Sequence, residues 1–465
     1  MKTRSTQPKG KGFIQNFDWG LYPQAEKLLE KEVETFLKHH SFARSLAKKM
    51  NVQTSTRFLD WVDHILIPSS RVTHAQLEKL GFIHHPVWSA PFKAQVFVHT
   101  HSVFCPILLH DSSTTEVALK PEYLEDFLYV QKIKSKIQGK KNASFRKALV
   151  KKEGDYMLSA VERRGSRHFI VDKGEDISAY VRAYQTFQKR KRIFPTDEEG
   201  MAYTHNMVKK TLQTLSPSRT ADAFFRAERE YWQSRNRAGQ TQNARQDKLG
   251  LGWGNHDHHT YRSSRNNFSK LIHVFEDMGF SCRERFFAGM KAGWGAQILE
   301  NPESDIVVFA DVDISPHERE MDFAHAHLRD QSKLGTVGLW IGLHGESVLQ
   351  AGMHHLEARF EFEQLKKDLG KKKINVMAPF SFFPFLKQAF TQGEQWKVDV
   401  KRLKRLLAVR KITQVQHDTF LSKGALGSHM ENLQRRQGFK GFNQDSVTAI
   451  IKATDPRKAV HVKGA

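Results

Sequence analysis

Cysteine is almost missing from this chain: Cys105 and Cys282 are the only two in 465 residues. They lie far apart and form no Cys-x-x-Cys pair. That excludes a disulfide framework and a thiolate zinc site, and makes a reducing cytoplasm the natural setting. Long apolar runs are missing too. No run of about 18 apolar residues occurs, so no ordinary membrane span is expected. The basic opening "MKTRSTQPKGKGFIQNF" is followed by no apolar segment of the kind a signal peptide needs. Acidic residues are in deficit, 50 against 73 Lys and Arg, for a net charge of +23. Such an excess suits a polyanionic partner, a small acidic substrate, or simply solvated basic faces. Aromatics are plentiful: 33 Phe, within a hydrophobic share of 39%, suffice for a real core and exclude a disordered chain.

Patterning divides the chain into five parts. Residues 1–60 read as a tail followed by amphipathic helix, with Leu28, Leu29, Val33, Phe36 and Leu37 at helical spacing. Residues 61–130 run strand, helix, strands through "FLDWVDHILIP", "HAQLEKL" and "KAQVFVHTHSVFCPILL". Residues 131–250 are polar and basic and read as a helical insertion, with "SRNRAGQTQNARQDK" as its flexible linker. Residues 251–314 return to strand, helix, strand, strand, the helix "NNFSKLIHVFEDM" being closed by Gly279 and the hairpin turned by "NPESD". Residues 315–465 read as mostly helical, with the basic stretch "KRLKRLLAVRK".

An internal repeat links the second and fourth parts. "DHILIPSSRVTHAQLEKLGF", from Asp63, and "DHHTYRSSRNNFSKLIHVFEDMGF", from Asp257, both read Asp-His, four residues, Ser-Ser-Arg, then a helix ending in Gly-Phe. The fold expected is therefore α+β: two βαββ modules paired into a curved sheet around a cleft, with helical insertions and a helical C-terminal region. Equivalent first-strand positions would face each other across that cleft, and His64 and His258 hold those positions. Two imidazoles joined by one carboxylate form a facial triad suited to Fe(II), with other divalent metals as alternatives.

The carboxylate is open on spacing alone. Asp311, in "IVVFADVD", ends the last strand of the second unit, with Asp313 on the same strand face. The first unit is followed by Glu116, Glu122 and Glu125. Arg262 stands four residues after His258, so strand alternation turns both to one face, where a guanidinium can grip a substrate carboxylate with two parallel bonds.

Several of these segments resemble one family. "HHTYRSS", the helix ending "EDMGF", "RERFFAGMKAGWGAQILENP" and "DIVVFADVDISP" are similar to the 2-oxoadipate dioxygenase/decarboxylases, or hydroxyglutarate synthases, of the vicinal-oxygen-chelate superfamily. The resemblance implies a metal-binding histidine at His258 and a carboxylate-binding arginine at Arg262. It also implies a second histidine at His64 and, from "EYLEDF", a glutamate at Glu125. The activity implied is decarboxylation of a 2-oxo acid with O2 at a non-haem Fe(II). Departures are plain: the His-x-x-x-Arg unit normally comes first, "EYLEDF" carries an extra residue, and the basic insertion has no counterpart. If module order follows the family, the second histidine belongs in "GMHHLEARF", at His354, and Asp311 remains a rival carboxylate.

Other patterns carry less. His99 and His101 share a strand face as a cleft wall, and His354 with Glu357 fits a solvated helix turn. "GMKAGWG" lacks a phosphate-loop pattern, and no G-x-S-x-G elbow occurs. The alternative from another class is nucleic-acid binding through "KIKSKIQGKK", "KRKRIF" and "KRLKRL", which no zinc-finger or RNP-type motif supports.

Overall fold

The computed structural model describes residues 19–89, 94–287, 293–443 and 455–457. The basic N-terminal tail, most of "GMKAGWG" and most of the polar C-terminal end lie outside the described residues. Two large mixed sheets carry the molecule, and the repeat explains both. The first holds β1 (Val62–Pro68), β2 (Ile83–His84), β3 (Gln95–Val98), β4 (Ile107–His110), β5 (Thr115–Leu119), β6 (Phe145–Glu153) and β7 (Tyr156–Arg163), in the order β2-β3-β4-β1-β5-β7-β6. The second is built from β8 (His256–Arg262), β9 (Ser281–Phe287), β10 (Trp294–Asn301), β11 (Ile306–Asp313), β12 (His355–Arg359), β13 (Ser381–Phe383) and β14 (Leu386–Phe390). A two-stranded ribbon, β15 (Gln395–Trp396) with β16 (Ala425–Leu426), precedes its last strand, β17 (His429–Arg435). The second sheet's order is β13-β14-β17-β12-β8-β11-β10-β9.

The connectivity is the same in both. β1 is parallel to β4 and antiparallel to β5; β8 is parallel to β11 and antiparallel to β12. Each sheet is thus a pair of βαββ-type units joined through their first strands. The helices of the repeat, His74–Lys79 and Phe268–Asp277, end at Gly81 and Gly279, both at positive φ (92° and 82°), and Phe82 and Phe280 then drop into the core. At Gly81 a Cβ would stand 2.6 Å from His99 Nε2, so a side chain there is excluded twice over. His99 itself is buried against Tyr22, Phe82 and Phe104.

Two parts of the chain differ from their patterns. Within 131–250, residues 145–163 form the β6–β7 hairpin that completes the first sheet, and the remainder is helical: Ser178–Gln188, Asp197–Leu212, Pro217–Gln233 and Arg237–Asp247. The last of these is the stretch expected to be a flexible linker. It is ordered by buried amides, Gln242 donating to Thr54 O at 2.9 Å and Gln246 to Gly252 O at 2.5 Å, which a hydrophobicity pattern does not register. Residues 315–465, expected to be mostly helical, supply β12, β14 and β17 to the second sheet. Those strands look polar because His355, Gln388 and Glu431 face a cavity, while Leu356, Ala358 and Met430 between them face the apolar core.

The sheets use their faces differently. The first packs on the N-terminal helices Pro23–His39 and Ser41–Lys49. The second rests on Ser178–Gln188 and Pro217–Gln233, through Phe187, Phe224 and Phe225. Its other face lies under a separate aromatic cluster that includes Phe286, Trp294, Phe309, Trp340, Phe380 and Phe390. No helix among the described residues is long and apolar enough to cross a membrane.

Candidate metal centre

β8, β12 and β17 lie side by side, and one cluster draws on all three. Alternation along β8 sends His258, Thr260 and Arg262 to the cavity face. Register sets Glu357 opposite His258 and Glu431 opposite Glu357, with His355 between Thr260 and His429. Ligand atoms of His258, Glu357 and Glu431 all fall within 4.8 Å of one another, and all three residues are buried. His258 Nε2 stands 3.4 Å from Glu357 Oε1 and 3.9 Å from Glu431 Oε2. His355 Nε2 is 2.6 Å and 3.9 Å from the same two oxygens.

Neighbours aim these groups. His258 Nδ1 bonds Asp257 Oδ1 at 3.0 Å, and Asp257 is itself gripped by Arg359 (2.8 Å) and Arg435 (3.2 Å). The carboxylate fixes the proton on Nδ1 and leaves the Nε2 lone pair directed at the cluster. His355 Nδ1 shares a proton with His354 Nδ1 at 2.7 Å, which likewise turns its Nε2 inward. Thr260 donates to Glu357 (2.8 Å) and Gln388 to Glu431 (2.8 Å).

The electrostatics call for a cation. Burial, with Glu431 beside it, pushes the Glu357 carboxyl well above the usual carboxylate range, and burial lifts Glu431 to about 8. Burial holds His258 down to about 4 and His355 well below the ordinary imidazole value. Burial thus favours the uncharged form of all four groups. A divalent ion would supply the charge that two abutting carboxylates lack, with neutral imidazoles as further donors. Glu357 Oε2 is buried beside Glu431, where a cation would take the place of a proton shared between the two carboxyls. The residues therefore fit a divalent metal, and a nitrogen–oxygen donor set without thiolate suits Fe(II), Mn(II) or Zn(II).

Beside the cluster lies a narrow cavity of about 60 Å3, smaller than ordinary small-molecule sites. Arg262 lines it, buried, its guanidinium 5.4 Å from the Trp340 ring centroid. Burial lowers Arg262 to about 10 and raises Asp311, its cross-strand neighbour, to about 7. Nε of Arg262 lies 3.7 Å from Asp311 Oδ2, beyond a hydrogen bond, and Nε and Nη1 have no hydrogen-bond partner. Buried, unsatisfied N–H groups facing a cavity are a waiting anion site.

The residues expected to form the site are only partly brought together. His258 and Arg262 share the cavity, and Asp311 lines it beside Arg262 rather than joining the ligand cluster. His64 is in the other sheet, at the position matching His258, because duplicated strands became equivalent places in two sheets rather than opposite walls of one. The match is close: Asp63 bonds His64 Nδ1 at 2.7 Å and receives Arg163 at 2.6 Å, as Asp257 serves His258 and Arg435. Register then puts Ala118 and Ser159 where the second sheet has Glu357 and Glu431, so the first sheet lacks the carboxylates. Its Glu116 pairs instead with the ammonium of Lys147 at 2.5 Å, and Phe169 covers His64.

The other carboxylates serve elsewhere. Glu125 pairs with Arg146, Glu122 accepts from Trp253 N, and Asp313 caps the helix Thr336–His344 through Val337 N and Gly338 N. His354, the alternative second histidine, lies at the cavity with Nε2 unpartnered; it orients His355, which alternation places on the same face as Glu357. Glu357, expected with His354 on a solvated helix turn, is instead buried on strand β12, and Glu431 was not singled out in the sequence. The available signal was the pair of His-x-Glu strings, "HLE" and "HME", which alternation places on one face when each is a strand.

No protein-family model matches the chain, and no curated protein does either. Solved structures with a similar chain path include a triple mutant of 4-hydroxymandelate synthase from Streptomyces coelicolor: 10% identity, 87% of this chain, 99% of that one, TM-score 0.29. Methylmalonyl-CoA epimerase from Mycobacterium tuberculosis is similar at 10% identity, over 39% of this chain and 89% of its own, with TM-score 0.23. The uncharacterised protein YdcJ of Shigella flexneri is similar at 12% identity, over 56% and 82%, also with TM-score 0.23. Likenesses this slight bear on neither ligand nor reaction.

Proposed function

We propose that the protein is a mononuclear, Fe(II)-dependent oxygenase that decarboxylates a 2-oxo acid with O2 to give a hydroxy acid. The observation that carries this reading is one convergence: His258, His355, Glu357 and Glu431 meet at the floor of a cavity in which Arg262 has unpaired N–H groups. His258, Glu431 and either His355 or Glu357 would hold the metal. His64 and Glu125, suggested by the family resemblance, are not included: His64 lies in the other sheet with Ala118 and Ser159 where the carboxylates would stand, and Glu125 is paired with Arg146. Bound iron would supply the Lewis acidity and the electrons that couple decarboxylation to dioxygen reduction.

The chain's own residues do the rest. Arg262 binds a carboxylate of the substrate and fixes its distance from the floor. Trp294, Phe309, Phe390 and Phe442 exclude water from that space. Asp311, with its pKa raised to about 7, can hold or release a proton beside Arg262 near neutrality. A dicarboxylate such as 2-oxoadipate would place one carboxylate at the floor and one at Arg262.

The test is metal content and turnover of protein prepared anaerobically. One equivalent of iron is expected, lost in Glu431→Ala and in His258→Ala, with O2 consumed and CO2 released in equal amounts on a 2-oxo acid. Absence of stoichiometric metal in the unaltered chain, or turnover indifferent to both variants, would overturn the proposal.

A further inference from the structure

At the edge strand of the second sheet, away from the His258, Glu357 and Glu431 cluster on β8, β12 and β17, a second set of ligand atoms converges. Glu276 ends the helix Phe268–Asp277, Cys282 lies on the edge strand β9, and His325 sits in the turn after β11. One atom from each lies within 4.8 Å of the others. Glu276 Oε1 is 2.9 Å from His325 Nε2 and 3.9 Å from Cys282 Sγ.

We propose that Glu276, Cys282 and His325 form a surface site for a borderline-soft divalent cation, Zn(II) by donor chemistry, with water as fourth ligand. Cys-x-x-Cys counting cannot find such a site, since it uses a single thiolate joined by groups from distant elements; the expectation that a thiolate zinc site is excluded holds only for paired cysteines. Tetrahedral zinc, with bonds of about 2.0–2.3 Å, holds neighbouring ligand atoms roughly 3.3–3.8 Å apart. The observed spacings bracket that figure.

Two features preorganise it. Asp322 accepts from His325 Nδ1 at 2.7 Å, the carboxylate–histidine relation that orients imidazole ligands. The turn carrying His325 is pinned by Phe323 and Ala324, both fully buried, with Phe323 stacked on Phe268 of the same helix that carries Glu276. Arg285 is the nearby cation, and its charge is engaged by Asp322 at 2.6 Å. Binding releases to solvent the thiol proton and the Nε2 proton that His325 donates to Glu276, as the S–Zn and N–Zn bonds form, with no change of oxidation state.

The test uses the full chain with both cysteines reduced, titrated with Co(II) and then Zn(II). A near-ultraviolet sulfur-to-cobalt charge-transfer band should saturate at one equivalent and vanish when zinc displaces cobalt. It should be absent from Cys282→Ser, present in Cys105→Ser, and present in His258→Ala, which separates this site from the cavity. Asp322→Asn should weaken Co(II) binding roughly tenfold or more. A wild-type chain without the band in excess Co(II), or a band that survives Cys282→Ser, overturns the proposal. Should Cys282→Ser fail to fold by circular dichroism, His325→Ala, exposed and cheap to alter, carries the same reading through loss of the band.

Discussion

Asp257 shows how much of the centre is decided one residue away from it. Its carboxylate touches His258, Arg359 and Arg435 at once, and burial alone would have driven it to take a proton; the two arginines hold it well below the ordinary carboxylate range. Asp257→Asn is expected to weaken metal binding roughly 10- to 100-fold, because His258 loses the partner that fixes its tautomer. It also leaves Arg359 and Arg435 short of a charge, so the variant should unfold at lower denaturant; equilibrium dialysis and urea melts read the two effects separately. Arg262→Lys keeps a charge but loses the fork. KM for a 2-oxo dicarboxylate should rise at least tenfold, with a smaller effect on a monocarboxylic analogue. Glu346 offers a residue-scale pH test away from the ligands. It accepts from Ser264 N at 3.0 Å, and burial raises it to about 7. A carboxyl whose folded pKa is raised binds its proton more tightly in the folded state. Its contribution is therefore complete below the unfolded value, near 4.5, and is lost as pH climbs through 7. Glu346→Gln should remove about 3 kcal/mol of that pH dependence, seen as a flatter stability profile between pH 5 and 8.

At the scale of elements, the two sheets answer a question about the repeat. The same strand order, the same Asp–His–Arg contact and the same helix-ending glycine occur in both, yet only the second sheet has facing carboxylates. In the first, Lys147 on β6 stands where Gln388 stands on β14, and its ammonium reaches Glu116. A fixed internal cation thus balances the one carboxylate left there. Lys147→Met should cost about 2 kcal/mol, less than a fully buried pair because the lysine is 30% exposed. The double change with Glu116→Leu should recover most of it; a double-mutant cycle in urea is the check. The duplication was legible in the sequence because Asp-His, Ser-Ser-Arg and Gly-Phe each serve a turn or a contact that both copies need. Sheet membership was not legible. Which first strand pairs with which is decided by long-range register, and the polar strings "HLEAR" and "HMENLQR" conceal their strand character because their side chains answer to a cavity. His258 could be read from the repeat and Arg262 from alternation relative to it, whereas Glu357 and Glu431 needed the pairing of β12 with β17.

For the whole molecule, the question is where a net charge of +23 is spent. Much of the basic middle region points inward: Arg190 and Arg192 share Glu228, Arg163 holds Asp63, Arg146 bridges Glu125 and Glu162, and Arg226 lies over Tyr184. Those groups organise helix-to-sheet contacts and are not free to meet a polyanion. The exposed remainder still surrounds the protein with a positive field, and a doubly charged 2-oxo acid is drawn by such a field while a neutral analogue is not. Raising ionic strength should lower kcat/KM for a dicarboxylate roughly two- to tenfold and leave kcat unchanged, since screening acts on approach and not on the desolvated contact with Arg262. A nucleic-acid binder would behave otherwise. Its affinity would fall steeply with the logarithm of salt, and His258→Ala and Arg262→Lys would leave that slope untouched. Stopped-flow turnover and a duplex-binding titration on the same salt series separate the two. A kcat/KM that ignores salt would mean that the surface charge has no part in bringing substrate to the cavity.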